Sequence, residues 1–241
     1  MASLGRIIGC TMVILIIAFA TIIIIILACA FTGRLSNVLS LNKSPVGNLG
    51  ENQLLSCFLQ VNTPAPLSQT SVTWTKSGVS GVVYQVTRGA VALHNQIPQF
   101  KGRAALSLDA LQKGNASLIL SGVRSQDQGE YTCSVSSSTG AGTVTVDLRT
   151  GAFSAPSFTF SSSILTAVAE RWSPEPNVTW SDLRGAVLPG TTSLNLSSAG
   201  VYSVKTSLSP VNTSDTYTLM IENNLKISIS QATVTGTQHW C

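Results

Sequence analysis

The chain is short of charge and of reactive chemistry. Only 10% of its 241 residues are Asp, Glu, Lys or Arg, against roughly a quarter in a typical soluble domain. It has two histidines, His94 and His239, and neither has a Cys, Asp or Glu partner at ligand spacing. No metal or catalytic constellation follows from such a pattern, so no enzyme activity and no cofactor are expected. There is no basic run and no aromatic-interleaved patch, which argues against nucleic acid as a partner. Beyond residue 34 no stretch keeps a helical period, which excludes a helical bundle.

What the chain does have is hydroxyl groups and one long apolar run. It carries 33 Ser and 25 Thr, so its polarity is uncharged. Its net charge of +4 splits as +2 over residues 1–34, +3 over 35–149 and −1 over 150–241. Ile7 to Phe31 is 25 residues without a charge. As a helix rising about 1.5 Å per residue, such a run can cross a hydrocarbon core of about 30 Å. The remainder is then about 39% hydrophobic, ordinary for a globular part.

This run is longer than the apolar core of a usual signal peptide, yet Ala28-Cys29-Ala30 before Phe31 fits a small-x-small cleavage site. Residues 1–34 are therefore a signal peptide or a retained signal-anchor. Arg6 and the amino terminus oppose Arg34 and Lys43, so charge bias does not choose between them. Both outcomes deliver the rest of the chain outside the cytosol, tethered to the plasma membrane or secreted. Five Asn-x-Ser/Thr sequons, at Asn42, Asn115, Asn177, Asn195 and Asn212, agree with that compartment, although Pro45 weakens the first. About three of the five are expected to carry sugar.

Short runs rich in Val, Ile, Leu, Thr and Ser recur between Gly, Pro, Asn and Asp along the remainder. We expect strands over 54–59, 71–76, 81–86, 104–108, 116–120, 129–134 and 143–148, then over 157–160, 164–169, 178–181, 201–208, 216–222 and 226–235. Strands at this spacing imply antiparallel sandwiches, two in succession, over 35–149 and 150–236, with a tail at 237–241. Gly140-Ala141-Gly142 is expected to be a bulged hairpin turn rather than a phosphate loop, because a strand and not a helix follows it.

Cys57, Trp74 and Asp127-Gln128-Gly129-Glu130-Tyr131-Thr132-Cys133 match the immunoglobulin frame. In it a disulfide, here Cys57 to Cys133, bridges two sheets, a Trp packs on it, and a Tyr two residues before the second Cys anchors a corner. The interval of 76 residues leaves room for the extra strands of a variable-type domain. Arg103 and Asp127 match the ion pair that closes the bottom of such domains. The second sandwich repeats the frame with Trp180 and Tyr217, but Ala167 and Leu219 stand where its two cysteines belong. A small and a larger apolar residue there can fill the space between the sheets. Cys241 is a leftover thiol, either in a disordered tail or paired between molecules.

Together with the join Thr150-Gly151-Ala152-Phe153-Ser154, the run Arg171-Trp172-Ser173-Pro174-Glu175-Pro176-Asn177-Val178-Thr179-Trp180 and the close Met220-Ile221-Glu222-Asn223, these residues resemble the butyrophilin-like co-stimulatory ligands. The resemblance covers essentially the whole chain. It implies a surface ligand with a membrane-distal variable domain and a membrane-proximal constant-type domain, one that engages a protein receptor on T cells and restrains proliferation and cytokine release. An adhesion module that binds its own kind, or a secreted decoy, is the alternative. No hydrophobic tail follows Thr235, where the family carries its C-terminal anchor. The N-terminal run is thus expected to be the tether, unless the product is secreted or the sequence is a fragment.

Strand parity locates a recognition face. If Trp74, Tyr131 and Cys133 point inward, then Thr73, Thr75, Thr132, Ser134 and Ser136 point outward. Tyr84, beside Val82 to Val86, is the bulky candidate anchor there, Tyr being a preferred hot-spot residue. Inward packing of Tyr84 is the other reading.

Overall fold

The computed structural model describes residues 15–24, 38–61 and 63–235. Two compact units divide the chain at Asn37 and Val38. The first holds helix α1, residues 15–24, whose large apolar side chains are all exposed. Among the described residues no helix is long and apolar enough to cross a membrane. The remainder of the 7–31 run, the Ala28-Cys29-Ala30 motif, His239 and Cys241 lie outside the described residues.

The second unit is built of strands. Its first half carries β1 (Val38–Leu39), β2 (Val46–Asn48), β3 (Gln53–Leu55), β4 (Phe58–Leu59), β5 (Ser71–Lys76), β6 (Tyr84–Thr87), β7 (Ala90–Val91), β8 (Ala104–Ala105), α2 (Leu108–Gln112), β9 (Leu118–Leu120), β10 (Gly129–Ser137) and β11 (Gly140–Phe153). The second half carries β12 (Ser157–Ser161), β13 (Ile164–Ser173), β14 (Asn177–Asp182), β15 (Val187–Leu188), β16 (Gly190–Leu196), β17 (Tyr202–Leu208), β18 (Thr216–Glu222) and β19 (Ile227–Thr233).

In the first half, the sheet β11-β10-β5-β6-β7 faces the sheet β3-β9-β8 in an immunoglobulin sandwich. Alternation drives it. Val72, Trp74 and Lys76 of β5 point inward, while Ser71, Thr73 and Thr75 point outward. The core between the sheets gathers Leu55, Trp74, Phe100, Leu118, Leu120, Tyr131, Val146 and Leu148. Burying each such aliphatic side chain contributes about 1.5–3 kcal/mol relative to exposure.

In the second half, β12-β13-β17-β16 faces β15-β14-β18-β19 around a separate core of Leu165, Ala167, Trp172, Trp180, Val204, Leu208, Leu219 and Ile221. Strand β11 is continuous from one half to the other. It pairs with β10 up to Leu148, with β2 in parallel at Arg149–Gly151, and with Ser173 and Trp172 of β13 at Ala152 and Phe153.

Several expectations need correction. The single strand expected over 54–59 is broken at Ser56 and Cys57 into β3, which pairs with β9, and β4, which pairs with β1. The strand expected over 104–108 stops at Ala105, because Ser107 caps a helical turn there by accepting a hydrogen bond from the Ala110 amide at 3.2 Å. Gly140, Ala141 and Gly142 are not a bulged turn: Ser138 and Thr139 make the hairpin, and the glycines begin β11 in unbroken register with β10. Strand β16 was not foreseen; six of its seven residues are exposed, so it has no apolar alternation to read.

Candidate functional site

The inner wall of the first sandwich is held by the disulfide and by two hydrogen-bonded anchors. Cys57 and Cys133 are joined, with Cα atoms 6.5 Å apart, and both are fully buried. Trp74 stands directly across from Cys133 in register and donates its indole N–H to the Ala116 carbonyl at 2.9 Å. Tyr131 donates its hydroxyl to the Asp127 carbonyl at 2.6 Å, closing the corner before β10. Burial, reinforced by the Asp127 carboxylate and opposed by Arg103, pushes the Tyr131 phenol well above its ordinary value.

Arg103 pairs with Asp127, whose carboxylate is fully buried. The guanidinium also donates to the carbonyls of Gln99, Ser121 and Gly122 at 3.0–3.1 Å. The Asp127 carboxylate accepts from the Arg124 amide at 2.8 Å. Every group of the pair is thus satisfied, the condition under which burying an ion pair is tolerable. Lys76 approaches from above, donating to the Gln126 carbonyl at 2.6 Å and lying 5.7 Å from the Tyr131 ring. Burial lowers its pKa, and Asp127 partly offsets this.

These anchors turn the opposite side of β5, β10 and β11 to solvent. Thr73, Thr75 and Ser134 are half-buried there and Ser136 is exposed. Register sets them in rows: Gln85, Thr73, Ser134 and Thr143 form one, and Thr75, Thr132 and Thr145 the next. The face is shallow, with a depression lined by Ser71, Thr73, Ser134, Ser136, Ala141 and Thr143. Tyr84 is not on it. It is 8% exposed and pairs with Trp74 in register, and directly paired residues share a face, so it packs into the core. Burial raises its pKa, against a hydrogen bond with the Leu106 backbone. Gln85 takes the outward place in β6.

In the second sandwich Ala167 and Leu219 are buried, at 1% and 0% exposure. Trp180 is held there by polar contacts. Its indole N–H donates to the buried Thr206 hydroxyl at 2.9 Å, which lies 2.8 Å from the Thr192 hydroxyl. Phe158 meets the Trp180 ring edge-on at 6.2 Å between centroids. Tyr217 is buried, and its hydroxyl accepts from the Asn212 amide at 3.0 Å.

The join between the halves is fastened by side chains that lie far from it in the chain. Asn48, 8% exposed, donates to the Phe153 carbonyl at 3.0 Å and accepts from the Phe153 amide at 3.1 Å, so one side chain clamps one residue twice. Arg171 donates to the Leu49 carbonyl, and Lys226 lies 5.7 Å over the Phe153 ring. These contacts cross up to 122 residues of chain.

Among the sequons, Asn42, Asn177, Asn195 and Asn212 are exposed and Asn115 is half-buried. The amide oxygens of Asn42 and Asn115 accept from the backbone of Ser44 and Ser117 at 3.1 and 3.0 Å, and Asn212 donates to the Asp215 carboxylate at 3.1 Å. His94 is exposed. Among the described residues no group of three or more His, Cys, Asp or Glu is placed to hold a metal.

Comparison with known proteins agrees with this architecture. Residues 41–149 match the immunoglobulin V-set domain. The chain is 35% identical to the human V-set domain-containing T-cell activation inhibitor 1, over 99% of this chain and 86% of that protein. It is 30% identical to human butyrophilin subfamily 1 member A1, over 66% of this chain and 31% of that protein. The crystal structure of bovine butyrophilin superposes with a TM-score of 0.53 at 23% identity, covering 83% of this chain and 98% of that one, a likeness of fold.

Proposed function

Because this chain belongs to the family of the V-set domain-containing T-cell activation inhibitors, we propose that it is a non-enzymatic ligand, displayed on the outer side of the plasma membrane or secreted, that binds a protein receptor on T cells and restrains their activation. The observation that carries this reading is the 35% identity to the human inhibitor maintained over 99% of the chain. In this reading residues 35–149 form the V-set domain and meet the receptor, and residues 150–236 form a constant-type domain that serves as its pedestal.

The hydroxyl-rich face of β5, β10 and β11 is the contact. It is shallow, uncharged at its centre and free of bulky groups. Such a face suits a partner that supplies its own protruding anchors. Thr73→Arg and Ser134→Arg place a charge in the middle of it without touching the core.

The test is co-culture of activated T cells with cells displaying the full chain. Proliferation and cytokine release are expected to fall, and each arginine variant is expected to lose most of the binding while keeping its thermal midpoint. Unchanged or enhanced proliferation overturns the inhibitory reading. Undiminished binding by both variants overturns only the face. Binding of the chain to cells that display the same chain, with none to T cells, marks an adhesion module.

A further inference from the structure

Strand β19 inverts the usual pattern. Its inward positions, opposite the buried Tyr217, Leu219 and Ile221, are Ala232, Ser230 and Ser228, all half-buried. Its outward positions include Ile227 and Ile229, which are 56% and 65% exposed. An ordinary one-sided sheet buries the apolar set and exposes the polar one. The strand also ends its sheet, in the order β15-β14-β18-β19, so one side of its backbone has no strand partner. A seven-residue edge of this kind invites pairing with another chain unless charge, proline, a bulge or a cover blunts it. Ile227–Thr233 contains no charge and no proline, and its register with β18 is unbroken. A cover is the remaining device.

A sequon lies on the same face. Asn177 and Thr179 are two residues apart on β14 and so point the same way. Register sets Asn177, Glu222 and Ile227 in one row, and Thr179, Met220 and Ile229 in the next. Two strand spacings, about 10 Å, separate Asn177 from β19. That is within reach of the first sugars of an N-linked oligosaccharide, each about as long as one strand spacing. Asn177 is exposed, and among the described residues its side chain makes no hydrogen bond. No other sequon shares this face: Asn195 is on β16 of the opposing sheet, Asn212 is tied to Asp215, and Asn42 and Asn115 belong to the first half.

We propose that Asn177 is N-glycosylated and that its proximal sugars lie across Glu222 and Met220 onto Ile227 and Ile229, covering the edge and keeping the chain from self-association. The donor is a lipid-pyrophosphate-linked oligosaccharide met on the way out of the cytosol. The Asn177 Nδ2 bonds to the anomeric carbon of the first N-acetylglucosamine and the carbon–oxygen bond to pyrophosphate breaks. The lipid pyrophosphate leaves with the electron pair, the amide gives up one proton, and nothing is oxidised or reduced. The bulk and hydration of the sugar replace a bare apolar edge with a soluble one.

The test uses the full chain expressed in a glycosylating animal cell and kept in mild detergent. Glycopeptide mass spectrometry is expected to find sugar at Asn177. Asn177→Gln and Thr179→Ala are expected to sediment as dimers and larger species at concentrations where the parent and Asn195→Gln run as one. Glycosidase treatment of the folded parent is expected to do the same without perturbing folding. Adding Ile227→Thr and Ile229→Thr to Asn177→Gln restores the parent profile. Bare Asn177 beside sugar at other sequons overturns the inference, as does a deglycosylated parent that stays dispersed, or assembly that persists without the isoleucines. No sugar at any sequon overturns the extracellular placement as well.

Discussion

Gly190 sits against the indole of Trp180 so closely that a methyl group on it would stand 2.3 Å from Cδ1 and 2.9 Å from Nε1. Trp180 cannot retreat, because its indole N–H is held by Thr206 and its ring edge by Phe158. Gly190→Ala is therefore expected to overpack the second core at a cost of about 1–3 kcal/mol. A drop in the thermal midpoint, followed by tryptophan fluorescence, checks it, and an unchanged midpoint would show that the indole can move after all.

The two cores differ in what closes them. Cys57 and Cys133 are covalently bridged, whereas Ala167 and Leu219 only pack. Losing a native disulfide costs about 2–5 kcal/mol. Calorimetry is expected to resolve two transitions, the lower one belonging to the second half and indifferent to dithiothreitol, the upper one falling when the thiols are reduced. A single transition that the reductant shifts as a whole would refute the assignment.

Asn48→Ala removes both hydrogen bonds to Phe153 and leaves a backbone amide and carbonyl at the join without their partner. Leaving such groups unsatisfied costs about 1–3 kcal/mol. Hydrogen exchange at the Phe153 amide should accelerate well beyond that of the amides in the middle of β10. Equal protection in parent and variant would mean that water or another side chain replaces Asn48.

Alkali should find Tyr131. Its folded-state pKa is raised by burial above the ordinary 10.0. Above that pH the unfolded chain loses the phenolic proton while the folded chain keeps it, so stability is intact below about pH 10 and falls as the pH climbs further. Lys76, whose pKa is lowered by burial, acts in the opposite sense. Comparison with Tyr131→Phe isolates the tyrosine: the variant starts less stable, having lost the bond to Asp127, but its midpoint should decline less steeply with pH. Parallel declines would remove the tyrosine as the cause.

Much of the frame was legible because it rests on residue types at set spacing. Cys57, Trp74, Tyr131 and Cys133 were each placed by their neighbours in sequence, and β5 and β18 begin and end where alternation put them. The sequence leaves both sides open for Tyr84, because its side depends on its register with Trp74, a relation between strands that no single strand encodes. The Asn48 clamp spans 105 residues, and nothing in either segment announces it. Strand β16 gave no signal because its residues stay in water on an edge, where pattern is unconstrained. Ile227 and Ile229 read as ordinary strand residues; only the register with β18 reveals that they face out.

The continuity of β11 has a mechanical meaning. A ligand held between two cells is pulled, and a flexible linker between its halves would stretch before either half felt the load. Here the strand that carries the hydroxyl face in its first residues is the one that bonds β13 in its last. Tension entering at Thr143 runs along an already extended backbone to Phe153, and the parallel bonds to β2 at Arg149–Gly151 resist it together, in shear, rather than opening one after another. In the proposed role, the second half would be the handle through which force reaches the hydroxyl face along β11.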